Sequence, residues 1–317
     1  MESLLASVLW LAVSLILLIW GANKFIDSAS FLASKIGISD FIIGLSVVAL
    51  GTSFPEIFVG ISAVVNNNEE LALGTIIGSN ISNIALIFGV SCIGYTSLIN
   101  PSLKRNLVAL GMSVIIAIYA LNDLTIGKLD SMLLLGIFGY FLYIMASQSK
   151  NTQEEIIAED NTGTFKVIAF LVIGLASLLI GANYAVIHGE IISLYLGIPQ
   201  LIVGLTVLAI GTSLPELAVT ISALLKNKNQ MILGNIIGSN ILNIVIVMPI
   251  LGLFSNQSFN ELVLYRDVFV MTLLSIMFIL IALSFSYKNI PANVYRSIGI
   301  FLVSGYIYYI GILSGLF

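Results

Sequence analysis

The sequence predicts an all-α polytopic membrane protein of ten transmembrane helices, built as two inverted five-helix repeats with both termini outside. Three observations predict it. The 317-residue chain is 59% hydrophobic and 9% charged, against roughly 25% charged in soluble domains. Apolar runs of about 20 residues, the length that crosses a bilayer core, recur along it. Three blocks of sequence also return at one constant offset, from 21 to 181, from 42 to 202 and from 73 to 233. Lipid offers no partners to free backbone groups, so helices are the spanning element.

The spans are expected at 4–22, 41–65, 71–97, 107–121, 131–148, 167–187, 200–225, 231–254, 268–286 and 297–315. The first lacks a basic leader and an obvious cleavage site. Its first Lys, Lys24, follows the apolar run, as in a retained helix with its N-terminus outside. With that start, the segments after spans 1, 3, 5, 7 and 9 hold ten cations: Lys24, Lys35, Lys104, Arg105, Lys150, Lys166, Lys226, Lys228, Lys288 and Arg296. The other side holds Lys128 and Arg266. Cationic loops stay in the cytoplasm, so this bias places both termini outside. Between the repeats, 1–148 and 167–317, runs a polar, acidic stretch, 149–166. Glu154, Glu155, Glu159 and Asp160 are imaginable as a calcium sensor, but the stretch lacks an EF-hand pattern and reads as a solvated cytoplasmic tether. Single Cys92 excludes an intrachain disulfide, and the one histidine, His188, reads as interfacial.

The repeat carries the chemistry. "IIGLSVVALGTSFPEIFVGISA" (42–63) returns as "IVGLTVLAIGTSLPELAVTISA" (202–223), and "GAN" at 21–23 returns at 181–183. "LGTIIGSNISNI" (73–84) returns as "LGNIIGSNILNI" (233–244), alike at ten of twelve positions. Five helices are an odd number, so the second unit enters the membrane from the opposite side. Secondary transporters built this way place their substrate site near the midplane, where the halves meet.

On a helix, Ala49, Thr52, Ser53 and Glu56 share one face, as do Ala209, Thr212, Ser213 and Glu216. Backbone and hydroxyl oxygens with one carboxylate are ligands for a hard cation. Pro55 and Pro215 lack an N–H and clash with the carbonyl four residues back, at Gly51 and Gly211. A local break is expected there, freeing main-chain oxygens around Ala49–Gly51 and around Ala209. Ser79 and Asn83 lie four apart on one helical face, with twins in Ser239 and Asn243. Gly74 and Gly78, and Gly234 and Gly238, read as small-residue pairs that let helices pack closely. A lone hydroxyl in a membrane helix usually bonds its own backbone. Glu56 and Glu216 differ: they are the ionisable residues deep within the expected spans. A charge there costs about 2.5 kcal/mol or more, so it marks a functional site.

"GTSFPE", "GTSLPE" and the two "GSNIxN" blocks resemble the alpha-repeats of the calcium/cation antiporter superfamily, in its sodium/calcium exchanger branch. The likeness spans all ten helices and is nearest to prokaryotic antiporters without a large regulatory domain. It implies a core of the second, third, seventh and eighth helices around four ion sites, across which the first and sixth helices slide. It further implies that Glu56 and Glu216 are central ligands for Ca²⁺ and Na⁺. Thr52, Ser53, Thr212, Ser213, Ser79 and Ser239 would supply hydroxyls, Ala49 and Ala209 carbonyls, and Asn83 and Asn243 the remaining polar positions. Many relatives carry an aspartate at one of the last two places, which in potassium-dependent ones is associated with K⁺ use. Here both are Asn, so two carboxylates balance one Ca²⁺ or two Na⁺, and a third Na⁺ leaves the site positive.

The expected function is Na⁺/Ca²⁺ antiport across the cell membrane, with no enzymatic activity. Ca²⁺ and Na⁺ are then substrates, and no cofactor, nucleic acid or obligatory protein partner is expected beside the lipid bilayer. Ca²⁺/H⁺ antiport on the same fold is the alternative, since buried carboxylates can carry protons. The Thr-Ser pairs favour sodium. A cation channel needs a continuous pore, which a single midplane site does not supply.

Overall fold

The computed structural model describes residues 4–66, 69–94, 103–151, 164–197, 211–254, 258–261, 263–287 and 291–314. All of its regular structure is helical. In chain order the elements are α1 (Leu4–Ile36), α2 (Asp40–Thr52), α3 (Phe54–Val65), α4 (Glu69–Gly94), α5 (Leu103–Leu121), α6 (Lys128–Asn151) and α7 (Thr164–Tyr195). They continue with α8 (Leu214–Leu225), α9 (Asn229–Phe254), α10 (Val263–Ser284) and α11 (Ala292–Leu313). Among the described residues, eight helices are long and apolar enough to cross a membrane, and α2 with α3, bent by 41°, would be a ninth. The α8 helix is apolar and shorter. This is a multi-pass membrane protein. The expected linker, 149–166, and the first part of the expected span 200–225 fall largely outside the described residues, as does Ala209.

Two expected spans are much longer than hydropathy places them. The first run ends at 22 in hydropathy, yet α1 continues past Lys24, Asp27 and Lys35 to Ile36. At 1.5 Å per residue its 33 residues reach about 50 Å, well beyond a hydrocarbon core of about 30 Å. The expected 167–187 is likewise α7, of 32 residues. A charge ends a hydropathy window without ending a ladder of backbone hydrogen bonds. Lys24 keeps its ammonium 5.4 Å above the Phe170 ring of α7.

Burial identifies the core. In the most apolar window of α9, 83% of residues are buried, and in α4 78%, against 22–28% in α1, α6, α7, α10 and α11. The central pair is therefore α4 and α9, the helices that carry the "GSN" blocks. The outer pair, α1 and α7, runs side by side along its length. Their backbones touch through the repeated glycines: a Cβ on Gly181 would lie 2.6 Å from the Leu18 nitrogen, and one on Gly21 2.4 Å from that of Leu178.

Close packing of the second glycine pair is as expected. A Cβ on Gly238 would lie 2.5 Å from the Leu45 carbonyl oxygen and 2.6 Å from Ala49 Cβ, and Gly234 rests on the Phe41 carbonyl. For the first pair the segment expected to pack against it lies outside the described residues. Among the described residues nothing lies within 4 Å of a Cβ at Gly74 or Gly78. The segment that repeats 41–49 is 201–209, outside the described residues.

Candidate cation site

The "GTSFPE" segment forms the bend between α2 and α3. Ser39 caps the start of α2, accepting the Ile42 N–H at 3.3 Å. A wide π-helical turn follows at Gly44–Val48, and the chain turns at Ser53 (φ −82°, ψ 5°) before α3 begins with Pro55 in its first turn. The expected break is there, and the oxygen it releases is corrected. The Ala49 carbonyl is not orphaned: it accepts the Ser53 N–H at 3.0 Å and the Thr52 hydroxyl at 3.4 Å. The carbonyl deprived of its donor is that of Gly51, because Pro55 has no N–H. The second copy repeats the turn at Ser213 (φ −93°, ψ 2°), with Pro215 opening α8.

The turns converge. Glu56 and Glu216 are each 1% exposed. Glu56 Oε1 accepts a hydrogen bond from Ser79 of α4 at 3.2 Å, and Glu216 Oε1 one from Ser53, in the other repeat, at 3.5 Å. Thr52 donates to Asn235 Oδ1 at 3.3 Å, Asn243 Nδ2 to Asn80 Oδ1 at 3.3 Å, and the hydroxyls of Ser82 and Ser213 meet at 2.5 Å. Each of these last four contacts joins one repeat to the other. Thr212 is half-buried, while Ser239 and Asn83 are fully enclosed.

A set of buried acceptors is left open. Among the described residues Glu56 Oε2, Glu216 Oε2, Asn83 Oδ1, Asn243 Oδ1 and Ser239 Oγ have no hydrogen-bond partner. Buried polar atoms are nearly always satisfied, and a buried carboxylate oxygen without a donor is costly. Among the described residues no three His, Cys, Asp or Glu side chains cluster. The negative charge therefore comes from the two glutamates, and the other oxygens are neutral.

Four buried polar residues were missed in the sequence: Asn80, Asn240, Ser82 and Asn235. Asn80 and Asn240 were legible as twins inside "GSN". Ser82 and Asn235 sit at the two mismatches of the twelve-residue block, opposite Leu242 and Thr75. A search for matched pairs passes over them.

The two ends of the bundle differ. Ser222 of α8 donates to Asn23 Oδ1 of α1 at 2.7 Å, and Lys226 pairs with Asp27 at 2.5 Å. Lys228 pairs with Asp40 at 2.9 Å, and Ser30 donates to the same carboxylate at 3.1 Å. The partly exposed ion pairs are worth about 0–1 kcal/mol each, but together these bonds tie α1 to α2 and α8. The repeat equivalents of Asn23 and Ser222 are Asn183 and Ser62. Both are exposed, and Ser62 takes bonds from its own neighbour Asn66. Among the described residues, the Asn23–Ser222 bond thus has no counterpart at Asn183 and Ser62. With buried Cys92 as the only background thiol, Ser62→Cys is expected to react readily with a membrane-impermeant thiol reagent. Ser222→Cys should react at least about tenfold more slowly with reagent on its own side, given the linkage between opening and accessibility. Equal rates would show that both ends are open.

The comparisons with known proteins agree with this geometry. A family model described as sodium/calcium exchanger protein matches residues 6–146 and 166–315. The chain is 34% identical to inner membrane protein YrbG of Escherichia coli (strain K12), over 98% of this chain and 97% of that protein. It is 31% identical to the sodium/calcium exchanger MaX1 of Methanosarcina acetivorans, over 85% and 89%. Among solved structures it is similar to the sodium-calcium exchanger NCX_Mj, with a TM-score of 0.82, 31% identity and coverage of 98% and 99%.

Proposed function

The chain belongs to the sodium/calcium exchanger protein family, and from that premise we propose that it is a secondary antiporter exchanging Na⁺ for Ca²⁺ at one shared cage in the cell membrane. The observation that carries the reading is the pair of buried glutamates, each with one carboxylate oxygen bonded to a serine and the other unpartnered. Two such carboxylates, surrounded by neutral oxygens, match one Ca²⁺ or two Na⁺ in charge. Glu56 and Glu216 would be the central ligands. Thr52, Ser53, Ser79, Thr212, Ser213 and Ser239 would supply hydroxyls, and Asn83 and Asn243 side-chain carbonyls. Ala49 and Ala209 would offer a main-chain oxygen; at Ala49 it would be the lone pairs left beside the Ser53 and Thr52 hydrogen bonds. Hard cations favour such all-oxygen sets.

Exchange follows from sharing. A cage that holds Ca²⁺ must empty before Na⁺ neutralises the same two carboxylates, and an empty cage leaves buried charge unpaired. Each ion therefore biases the equilibrium between the states open to either side. The Asn23–Ser222 bond between α1 and α8, without a counterpart among the described residues at Asn183 and Ser62, supports a state open on one side.

The full topology belongs to the same proposal: ten crossings, two inverted units at 1–148 and 167–317, a cytoplasmic tether at 149–166, and both termini outside. The Lys226–Asp27 pair supports it, since it sets Asp27, beyond the apolar run of α1, level with the end of α8. That requires an even number of crossings between them. Spans two to seven supply six, and the cations at that end are those expected inside.

The test is flux in proteoliposomes. An outward Na⁺ gradient is expected to drive Ca²⁺ uptake, and collapsing that gradient to stop it. Uptake driven by a proton gradient with Na⁺ inert would replace this reading by Ca²⁺/H⁺ exchange. Ca²⁺ flux independent of any counter-ion would make the protein a channel.

A further inference from the structure

The two halves of the site differ in where their serine protons go. Ser53 and Ser213 occupy the same place in "GTSFPE" and "GTSLPE", and both are enclosed, at 0% and 1% exposure. Ser53 aims its proton at the Glu216 carboxylate. Ser213 meets the hydroxyl of Ser82 instead. A hydroxyl has one proton and two lone pairs. The Ser82 proton is already committed to the Ser79 carbonyl, at 3.0 Å one turn back in α4. Either hydroxyl of this pair could donate, and with its own proton on the Ser79 carbonyl Ser82 accepts from Ser213. The proton of Ser213 is parked on Ser82, and the lone pairs of Ser213 are left for a cation.

The repeat offers Ser53 no such partner. The position matching Ser82 is Leu242, which has no acceptor. The other mismatch also meets a proposed ligand: Asn235 Oδ1 lies 3.3 Å from the Thr52 hydroxyl, which has the Ala49 carbonyl at 3.4 Å as its other acceptor, whereas its counterpart Thr75 is spent on the Leu71 carbonyl at 2.8 Å. The repeat is thus broken where a proposed ligand needs its proton held away from the cage.

Resting on the cation-cage reading of Ser213, we propose that Ser82 is a positioning residue for ion binding, which turns the Ser213 hydroxyl into a pre-oriented oxygen ligand. It touches no ion itself. Without it, Ser213 would turn its proton toward the nearest carboxylate, as Ser53 does, and each binding event would have to break that bond.

The experiment is a double-mutant cycle on Na⁺-driven Ca²⁺ exchange in proteoliposomes, reading half-saturating concentrations of both ions and the maximal rate. Ser82→Ala is expected to raise the half-saturating concentration of Na⁺, Ca²⁺ or both by about fivefold, the factor equivalent to one net hydrogen bond of about 1 kcal/mol. The maximal rate at saturating ions should stay within about twofold. Ser82→Cys keeps the volume and offers only a weak acceptor, so it should give the same loss without a cavity. In a Ser213→Ala background, Ser82→Ala should have no further effect, because it acts through that hydroxyl. Additive losses, a fall in maximal rate without an affinity change, or unchanged affinity for both ions in both Ser82 variants would each overturn the proposal. If Ser213→Ala itself alters neither affinity, the cage assignment of Ser213 fails, which is a separate result.

Discussion

Glu216→Gln is expected to abolish Na⁺-driven Ca²⁺ uptake in proteoliposomes, and Glu56→Gln to do the same. The substitution preserves shape almost atom for atom. The glutamine oxygen can still accept the hydrogen bond that Ser53 gives Glu216 or Ser79 gives Glu56. What changes is charge, and the replacement of the unpartnered Oε2 by an NH₂, a donor that cannot ligate a cation. One carboxylate cannot balance Ca²⁺, and the new donor repels it. Residues that merely orient a metal ligand are worth about 10–100-fold in affinity, so loss of a central carboxylate should exceed about 100-fold. Folding should survive, because neutralising a buried acid removes a desolvation cost. Unchanged elution on size exclusion would confirm it. Near-normal flux in either variant would remove that glutamate from the cage, and with it the charge argument.

The second large effect is expected from a single methyl group. Gly238→Ala places a Cβ 2.5 Å from the Leu45 oxygen and 2.6 Å from Ala49 Cβ, inside contact distance of backbone that cannot rotate away. Overpacking of this kind costs about 1–3 kcal/mol. Since α2 must move off α9 at Ala49, beside Thr52 and Ser53, transport should fall along with thermal stability. An unchanged midpoint in a thermal unfolding assay would show that this contact relaxes without cost.

Gly238 shows how far the sequence could be read: a small residue for close packing was legible there, and the backbone it touches was not. Glu56 and Glu216 were legible because two acids in apolar runs at matched positions have no bland explanation. The bend at Ser53 was legible from Pro55, since a missing N–H is a local fact. The sequence named Gly51 but spread the freed oxygens back to Ala49, whose carbonyl still accepts the Ser53 N–H. The ends of α1 and α7 were misplaced for a similar reason: hydropathy reports where lipid stops, and backbone hydrogen bonding continues into the interface. Ser82 and Asn235 escaped notice because a search for twins favours positions that match.

By itself the sequence determined the helical class, the duplicated unit, the two carboxylates and the oxygen-rich faces beside them. These follow from composition and from spacing along one helix, which are local quantities. Only the tertiary structure decided that Ser53 reaches Glu216 while Ser213 reaches Ser82, that Gly238 touches α2, and that Lys226 and Lys228 fasten one end. Those contacts join residues well over a hundred positions apart. A perfect repeat would make the two halves equal, but a molecule fastened at one end cannot treat both alike.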